Sequence, residues 1–214
     1  MLERIGKGLQ RGLDCLIRWL LMGLIRLAFR PQIYYASEKA RKEALSRPML
    51  VISNHVRGMD GAVIATLFPG KMIHGMSAKD FMDKKPLGWL LRQLGCFPVD
   101  RQHASLDWLR TGRRILTVDK QHVYMCPEGK CNFQKQMQPY KPGAAMLASV
   151  AKVPVLPIYH NGEYNYVFGK RFRCMVGEPI VLPEGALNTE ELAQETHRME
   201  QEMLKLRDML AEKS

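Results

Sequence analysis

The 214 residues carry 32 Lys and Arg against 21 Asp and Glu, a formal net charge of +11, with 46% apolar and 25% charged side chains. That balance excludes a disordered or collagen-like chain and favours an anionic partner: nucleic acid, a membrane surface or a phosphorylated substrate. Five cysteines, an odd number with no C-x-x-C pair, argue against a disulfide framework or structural zinc and for a reducing compartment.

The excess charge is uneven. Residues 1–50 hold 10 basic and 4 acidic side chains, residues 51–183 hold 18 and 9, and residues 184–214 hold 4 and 8. From Met1 to Phe29, Ile5, Leu9, Leu13, Leu16, Leu20, Leu24 and Leu27 recur at helical spacing. Arg4, Arg11 and Arg18 form a cationic stripe on the opposite face. The longest uncharged run between Arg18 and Arg26 is Trp19–Ile25, against the roughly 20 apolar residues that a spanning helix needs. A secretory signal fits poorly, because Arg26 and Arg30 interrupt its apolar core. Two readings remain: an interfacial helix lying in a membrane surface with anionic lipids, or an amphipathic helix packed on its own domain. Arg30-Pro31 ends the helix, and a short second helix is expected over Ser37–Ser46.

After Arg47-Pro48 strands and helices alternate. Strands are expected at Met49–Ser53, Lys71–Ala78, Cys96–Val99, His122–Cys126, Val153–Tyr159 and Arg171–Gly177. Helices are expected at Gly61–Phe68, Pro86–Leu94, Ala104–Val118 and Pro142–Ala151. The tail Thr189–Lys213 is a helix opened by an Asn188/Glu191 capping box. The fold class is α/β: a mixed, largely parallel central sheet flanked by helices, with an N-terminal amphipathic helical segment and a C-terminal helix. Residues 1–46 form the membrane-associated segment and residues 47–214 the main domain.

Two polar clusters fall at strand ends, where ligands collect in such sheets. In Asn54-His55-Val56-Arg57-Gly58-Met59-Asp60, the aspartate can meet one ring nitrogen of His55 and leave the other as a base. The same residues alone also fit a solvated histidine and a helix-opening aspartate. In Cys126-Pro127-Glu128-Gly129-Lys130, the glycine allows a tight turn that exposes backbone N–H groups to an anionic or hydroxylated ligand. Between them lie Lys79 and Arg101, the latter suited to grip a phosphate through its guanidinium fork. A nucleophilic Cys126 is a rival idea without support from its surroundings in sequence. His122, Cys126 and Cys131 lack the paired spacing of metal ligands, and His74, His103, His160 and His197 have no recognisable sequence partners.

Read in order, N-H-x-x-x-x-D at 54–60, Lys79 followed by Pro86-Leu87-Gly88 and Gly95–Arg101, P-E-G at 127–129, and Val153–Ile158 resemble glycerolipid acyltransferases. The closest subgroup is the 1-acylglycerol-3-phosphate (lysophosphatidic acid) acyltransferases, and the resemblance covers residues 48–183. It implies that His55, oriented by Asp60, takes the proton from the acceptor's hydroxyl, which then attacks a thioester directly. It implies further that Lys79, Arg101, Glu128, Gly129 and Lys130 bind substrate. The implied co-substrates are a lysophospholipid and an acyl-CoA or acyl carrier protein thioester, with no metal or organic cofactor and no nucleic acid. The implied place is the cytoplasmic face of a membrane, as a peripheral, monotopic protein.

Three departures stand out. Lys130-Cys131-Asn132 replaces the family's usual Thr-Arg-Ser, Cys126 replaces a large apolar residue, and Arg57 stands where serine is frequent. Lys130 restores the lost charge but not the bidentate geometry. A lyso-lipid other than lysophosphatidic acid, or a non-catalytic peripheral membrane-binding protein, are the alternatives.

Overall fold

The computed structural model describes residues 2–100, 105–165, 169–183, 185 and 187–213, with side chains from residue 12 onward. In chain order the elements are α1 (Leu2–Phe29), β1 (Gln32–Tyr35), α2 (Glu38–Glu43), β2 (Leu50–Ser53), α3 (Asp60–Ala65) and β3 (Ile73–Ala78). They continue with α4 (Lys79–Met82), α5 (Leu87–Gln93), β4 (Phe97–Val99), α6 (Asp107–Thr117), β5 (His122–Met125) and α7 (Gly143–Ala151). The chain closes with β6 (Val155–His160), β7 (Arg173–Val176) and α8 (Thr189–Ala211).

The strands form one sheet in the order β1-β7-β6-β2-β5-β3-β4. Its five-strand parallel part runs from β6 to β4; β7 pairs antiparallel with β6, and β1 parallel with β7. β2 lies between β5 and β6, and all four of its residues are buried, as a strand covered on both faces requires. Leu50 and Ile52 point into a core shared with α6, α7 and α8, while Val51 points into a second core shared with α1 and α3. Both helix layers are therefore built on the alternation of one short apolar run.

Local chemistry sets the boundaries. Asn188 Oδ1 accepts the Glu191 N–H at 3.0 Å and the Glu191 carboxylate accepts the Asn188 N–H at 2.8 Å, so the expected capping box opens α8. Ser37 caps α2 by accepting the Ala40 N–H at 3.0 Å. Two elements were not anticipated. β1 has four residues between a proline and a helix, and α4 has one turn, too few in either case to display a period. Because β1 joins the sheet, residues 32–46 are part of the α/β body and not only of a helical segment.

α1 decides between its two readings of packing. Met22, Ile25, Ala28 and Phe29 face the domain, whereas the predicted stripe faces outward: Leu16, Trp19, Leu20, Leu24 and Leu27 are 55–71% exposed. Arg18 turns inward beside Gly95 and Cys96. Among the described residues no helix is long and apolar enough to cross a membrane.

Candidate active site

The carboxyl ends of β2, β5 and β6 converge, and each contributes one piece of a single polar cluster. After β2 comes His55, whose Nδ1 lies 2.8 Å from Asp60 Oδ2. Asp60 opens α3, and its carboxylate also accepts the N–H groups of Val56 (2.8 Å) and Arg57 (3.0 Å). That local turn explains the spacing of five residues: the loop folds back so that one carboxylate holds the backbone and the ring together. After β6 comes Tyr164, whose hydroxyl donates to Asp60 Oδ1. Burial works against the Asp60 carboxylate, but His55, His160 and Tyr164 outweigh it and hold its pKa below the usual range.

With Asp60 ionised, Nδ1 of His55 carries its proton toward the carboxylate, and in the neutral form of the ring the lone pair is on Nε2. Burial disfavours the imidazolium, yet the bond to Asp60 and the nearby Cys126 sulfur more than offset this and push the His55 pKa up to about 11. A second histidine lies against the cluster. His160 accepts the Gly162 N–H at Nδ1 (3.2 Å) and donates from Nε2 to the Asn54 carbonyl (3.0 Å). It is fully buried, and burial holds its pKa below the ordinary value.

After β5 comes Glu128. Its Oε1 accepts the His55 N–H (2.9 Å) and its Oε2 the Gln138 N–H (3.0 Å), while the Asn132 N–H donates to the His55 carbonyl at 2.7 Å. Both Glu128 oxygens are thus committed to backbone, and the side chain is 4% exposed. It holds the His55 and Gln138 backbone and is not among the residues that line the cavity. Glu128→Gln replaces one acceptor by a donor facing an N–H, and such a buried mismatch costs about 1–3 kcal/mol. The expected outcome is a lower melting temperature and a fall in kcat with little change in acceptor KM, measured by calorimetry and steady-state kinetics.

His55 stands at a cavity of about 510 Å³. Its lining includes three cations, Arg57, Lys130 and Lys141, with Gly129 and the carboxylate of Asp100. Its depth is apolar, lined by Ala62, Ala65, Ile73, Met76, Leu91 and Leu94, with Met22 of α1 in the wall. Ile73 pairs with His122 at the amino end of β5, so the cavity extends along the sheet from the carboxyl ends of the strands to their amino ends. The six residues of β3 make that about 20 Å. Gly129 has φ +71°, and a β-carbon there would lie 3.2 Å from Lys141 Nζ; the glycine makes the turn and leaves the lysine its place.

Of the expected binding residues, Gly129 and Lys130 are at the cavity. Lys79 begins α4, exposed and outside the lining, next to Ala78, which does line it. Arg101 and His103 lie outside the described residues. Tyr164, His160, Lys141 and Cys131 were missed. Tyr164 and His160 flank the end of β6 and carry no spacing signal relative to His55, and Lys141 is separated from Lys130 by a loop.

His55, Asp60 and Cys126 offer ligand atoms within 4.8 Å of one another. Asp60 is already taken by two backbone N–H groups, the His55 ring and the Tyr164 hydroxyl, so the set is a hydrogen-bonded relay and does not fit a metal ion. Cys126 Sγ faces the Tyr124 hydroxyl at 3.0 Å and Ser53 Oγ at 3.8 Å. Cys131 Sγ lies 3.3 Å from Nε2, so two sulfurs stand near the His55 ring.

The family model for Acyltransferase matches residues 33–161, a span that begins in β1 and ends just past β6. The chain belongs to the acyltransferase family. Over 200 residues it is 23% identical to the 1-acyl-sn-glycerol-3-phosphate acyltransferase of Streptococcus pneumoniae, covering 92% of this chain and 71% of that one. It is 27% identical to the enzyme of the same name from Saccharomyces cerevisiae, with 70% of this chain and 50% of the relative covered. The crystal structure of the 1-acyl-sn-glycerophosphate (LPA) acyltransferase PlsC from Thermotoga maritima superposes with a TM-score of 0.61 at 17% identity, over 89% of this chain and 81% of that one. This last likeness establishes the shared fold: the acyltransferase has the expected mixed sheet with helices on both faces and at both ends.

Proposed function

We propose that this acyltransferase moves a fatty acyl chain from a thioester donor to the free hydroxyl of a lysophospholipid, with lysophosphatidic acid as the acceptor and phosphatidic acid as the product. The observation that carries the reading is the placing of a base, the His55 ring held by Asp60, in the wall of a cavity that carries cations near His55 and apolar side chains along β3. A thioester is already activated, so positioning and removal of one hydroxyl proton suffice for transfer. His55 takes that proton, the oxygen attacks the thioester carbonyl, and the proton then leaves with the departing thiolate.

Charge supports the choice of acceptor. Lys130, Lys141 and Arg57 line the cavity near His55, where a phosphate monoester gains more than a zwitterionic headgroup. α1 supports work at a lipid surface: its outward Leu and Trp19 side chains suit the acyl boundary, and its inward Met22 lines the cavity. A chain can then enter the cavity beside a helix that lies in the interface. The cytoplasmic face, with its reducing milieu, suits a site that holds two thiols near its base. The donor is acyl-CoA or an acyl carrier protein thioester.

The reading is tested by acyl transfer with purified protein in mixed micelles, offering both donor types and a panel of lyso-lipids. Turnover of lysophosphatidic acid above all others is expected. Turnover of another lyso-lipid alone moves the acceptor assignment, and vesicle binding without turnover of any acceptor leaves a non-catalytic membrane protein. The same assay addresses chain length. Ala65→Leu adds three carbons near the amino ends of the strands, and one methylene in an apolar pocket is worth about 1–3 kcal/mol of discrimination. The variant is expected to shift donor preference by tenfold or so toward shorter chains.

A further inference from the structure

α1 carries cations that the reaction does not use. Arg18, Arg26 and Lys71 line a groove of about 270 Å³ between α1 and the turn from α3 to β3. The rest of its lining is largely apolar, with Trp19, Met22 and Phe68, and among the described residues it holds no carboxylate. Asp14, one turn before Arg18, is outside that lining and accepts from Gln93 at 3.5 Å. Arg26 donates to the Thr66 carbonyl at 2.8 Å, which ties the two walls together. Arg18 lacks such support. Its guanidinium lies over Gly95, where a β-carbon would come within 3.1 Å of Nη1, and its Nη2 is buried with no hydrogen-bond partner among the described residues. Burial holds its pKa below the ordinary arginine value, as expected of a cation short of counter-charge. Three fixed charges of one sign around an apolar groove make a site for an anion with an apolar part.

The place of the groove identifies that anion. Trp19 belongs both to its lining and to the outward stripe of α1, where Trp19, Leu20 and Leu24 are 55–63% exposed. Met22 and Ala65 belong both to its lining and to that of the catalytic cavity, so these two side chains form a shared wall. We propose that the groove binds one molecule of an anionic glycerophospholipid, which is held there and not acylated. Its phosphate is set against Arg18, Arg26 and Lys71, and the upper part of one chain against Trp19, Met22 and Phe68. The rest of the lipid lies along the outward face of α1 in the bilayer. The proposal rests on the reading of α1 as an interfacial helix. Hydrogen bonds from guanidinium and ammonium groups to phosphate oxygens are stronger than neutral ones, which favours an anionic headgroup over a zwitterionic one. The bound lipid fixes α1 at headgroup level and packs the outer side of the Met22–Ala65 wall.

The test is native mass spectrometry of the whole protein in neutral detergent, with no acyl donor or lyso-lipid, titrated with phosphatidylglycerol or phosphatidylcholine. One phosphatidylglycerol per chain is expected to be retained, in preference to phosphatidylcholine. Arg18→Gln and Lys71→Gln are each expected to weaken retention about tenfold or more, the loss of a charge-assisted bond. Lys71 is exposed, so its replacement decides the matter where Arg18→Gln lowers the melting temperature. Arg113→Gln, on α6 across the sheet from α1, is expected to leave retention unchanged. Equal retention of the two lipids, wild-type retention in both groove variants, or an equal loss in Arg113→Gln overturns the site. Displacement by inorganic phosphate or coenzyme A assigns the cations to a soluble phosphate ligand and overturns the lipid. Cosedimentation with phosphatidylcholine vesicles tests the interfacial helix separately: its absence in a protein that retains phosphatidylglycerol overturns that reading and leaves the site.

Discussion

Replacing His55 with alanine is expected to lower acyl transfer by about 10²–10⁴-fold, the range that a general base contributes. The melting temperature should stay close to that of the wild type, because the groups that anchor this loop are backbone. The His55 N–H still donates to Glu128 and its carbonyl still accepts from Asn132, whatever the side chain. Asp60 loses one partner and keeps the Val56 and Arg57 N–H groups and the Tyr164 hydroxyl. Vesicle binding through the outer face of α1, as proposed above, should be unchanged. An inactive variant that also unfolds early would show that His55 is part of the scaffold; full activity in a folded variant would remove it from the mechanism.

Asp60→Asn should be at least as damaging, on the order of 10³–10⁴-fold in rate, because an amide cannot both hold the ring tautomer and stabilise its cation. It should also cost stability. Asp60 is 1% exposed and is the common acceptor of four donors, and an amide leaves some of them unpaired at about 1–3 kcal/mol each. The pH profile separates the two effects. The working form of His55 is the neutral ring, so activity must rise with pH toward the pKa of its conjugate acid. With that pKa pushed up to about 11, kcat/KM of the wild type should climb steadily from pH 6 to 9, and not level off near the ordinary histidine value. Without the Asp60 charge, burial acts with less opposition, and the rising limb should move to lower pH while its plateau falls. A limb that stays in place in Asp60→Asn would mean that another group titrates.

Comparing elements with their expected spans shows why some chemistry was legible and some not. Asp60 could be assigned to His55 because five residues around one tight turn bring their side chains together in almost any geometry that follows a strand. Glu128 was legible as a strand-end residue, but its partners were not. Its P-E-G context marks a strand-end turn, but only the pairing of β2 with β5 brings its carboxylate under the His55 backbone. Cys126 and Cys131 were indistinguishable along the chain. The four loop residues between them bring both sulfurs near the His55 ring, Cys131 at 3.3 Å from Nε2 and Cys126 also at 3.0 Å from the Tyr124 hydroxyl.

α1 makes the same point from the opposite side. Its 3.6-residue periodicity was plain, and it was equally compatible with a stripe packed inward or turned outward. Packing chose: Met22, Ile25, Ala28 and Phe29 fill the gap against α3, and the Leu stripe is left on the surface.

What the sequence by itself determined is everything carried by local pattern: the alternation of strands and helices, the capping box of α8, the His55–Asp60 pair and the family. Short-range sterics and hydrogen bonding suffice for these, since the partners lie within a turn or two of each other. What only the tertiary structure decided is every contact that crosses strands: Tyr164 on Asp60, Glu128 beneath His55, Cys131 on Nε2 and the cavity running beside β3. Those depend on strand order in the sheet, which joins β2 to β5 and β6 across 73 and 106 residues of chain, distances over which no periodicity carries information.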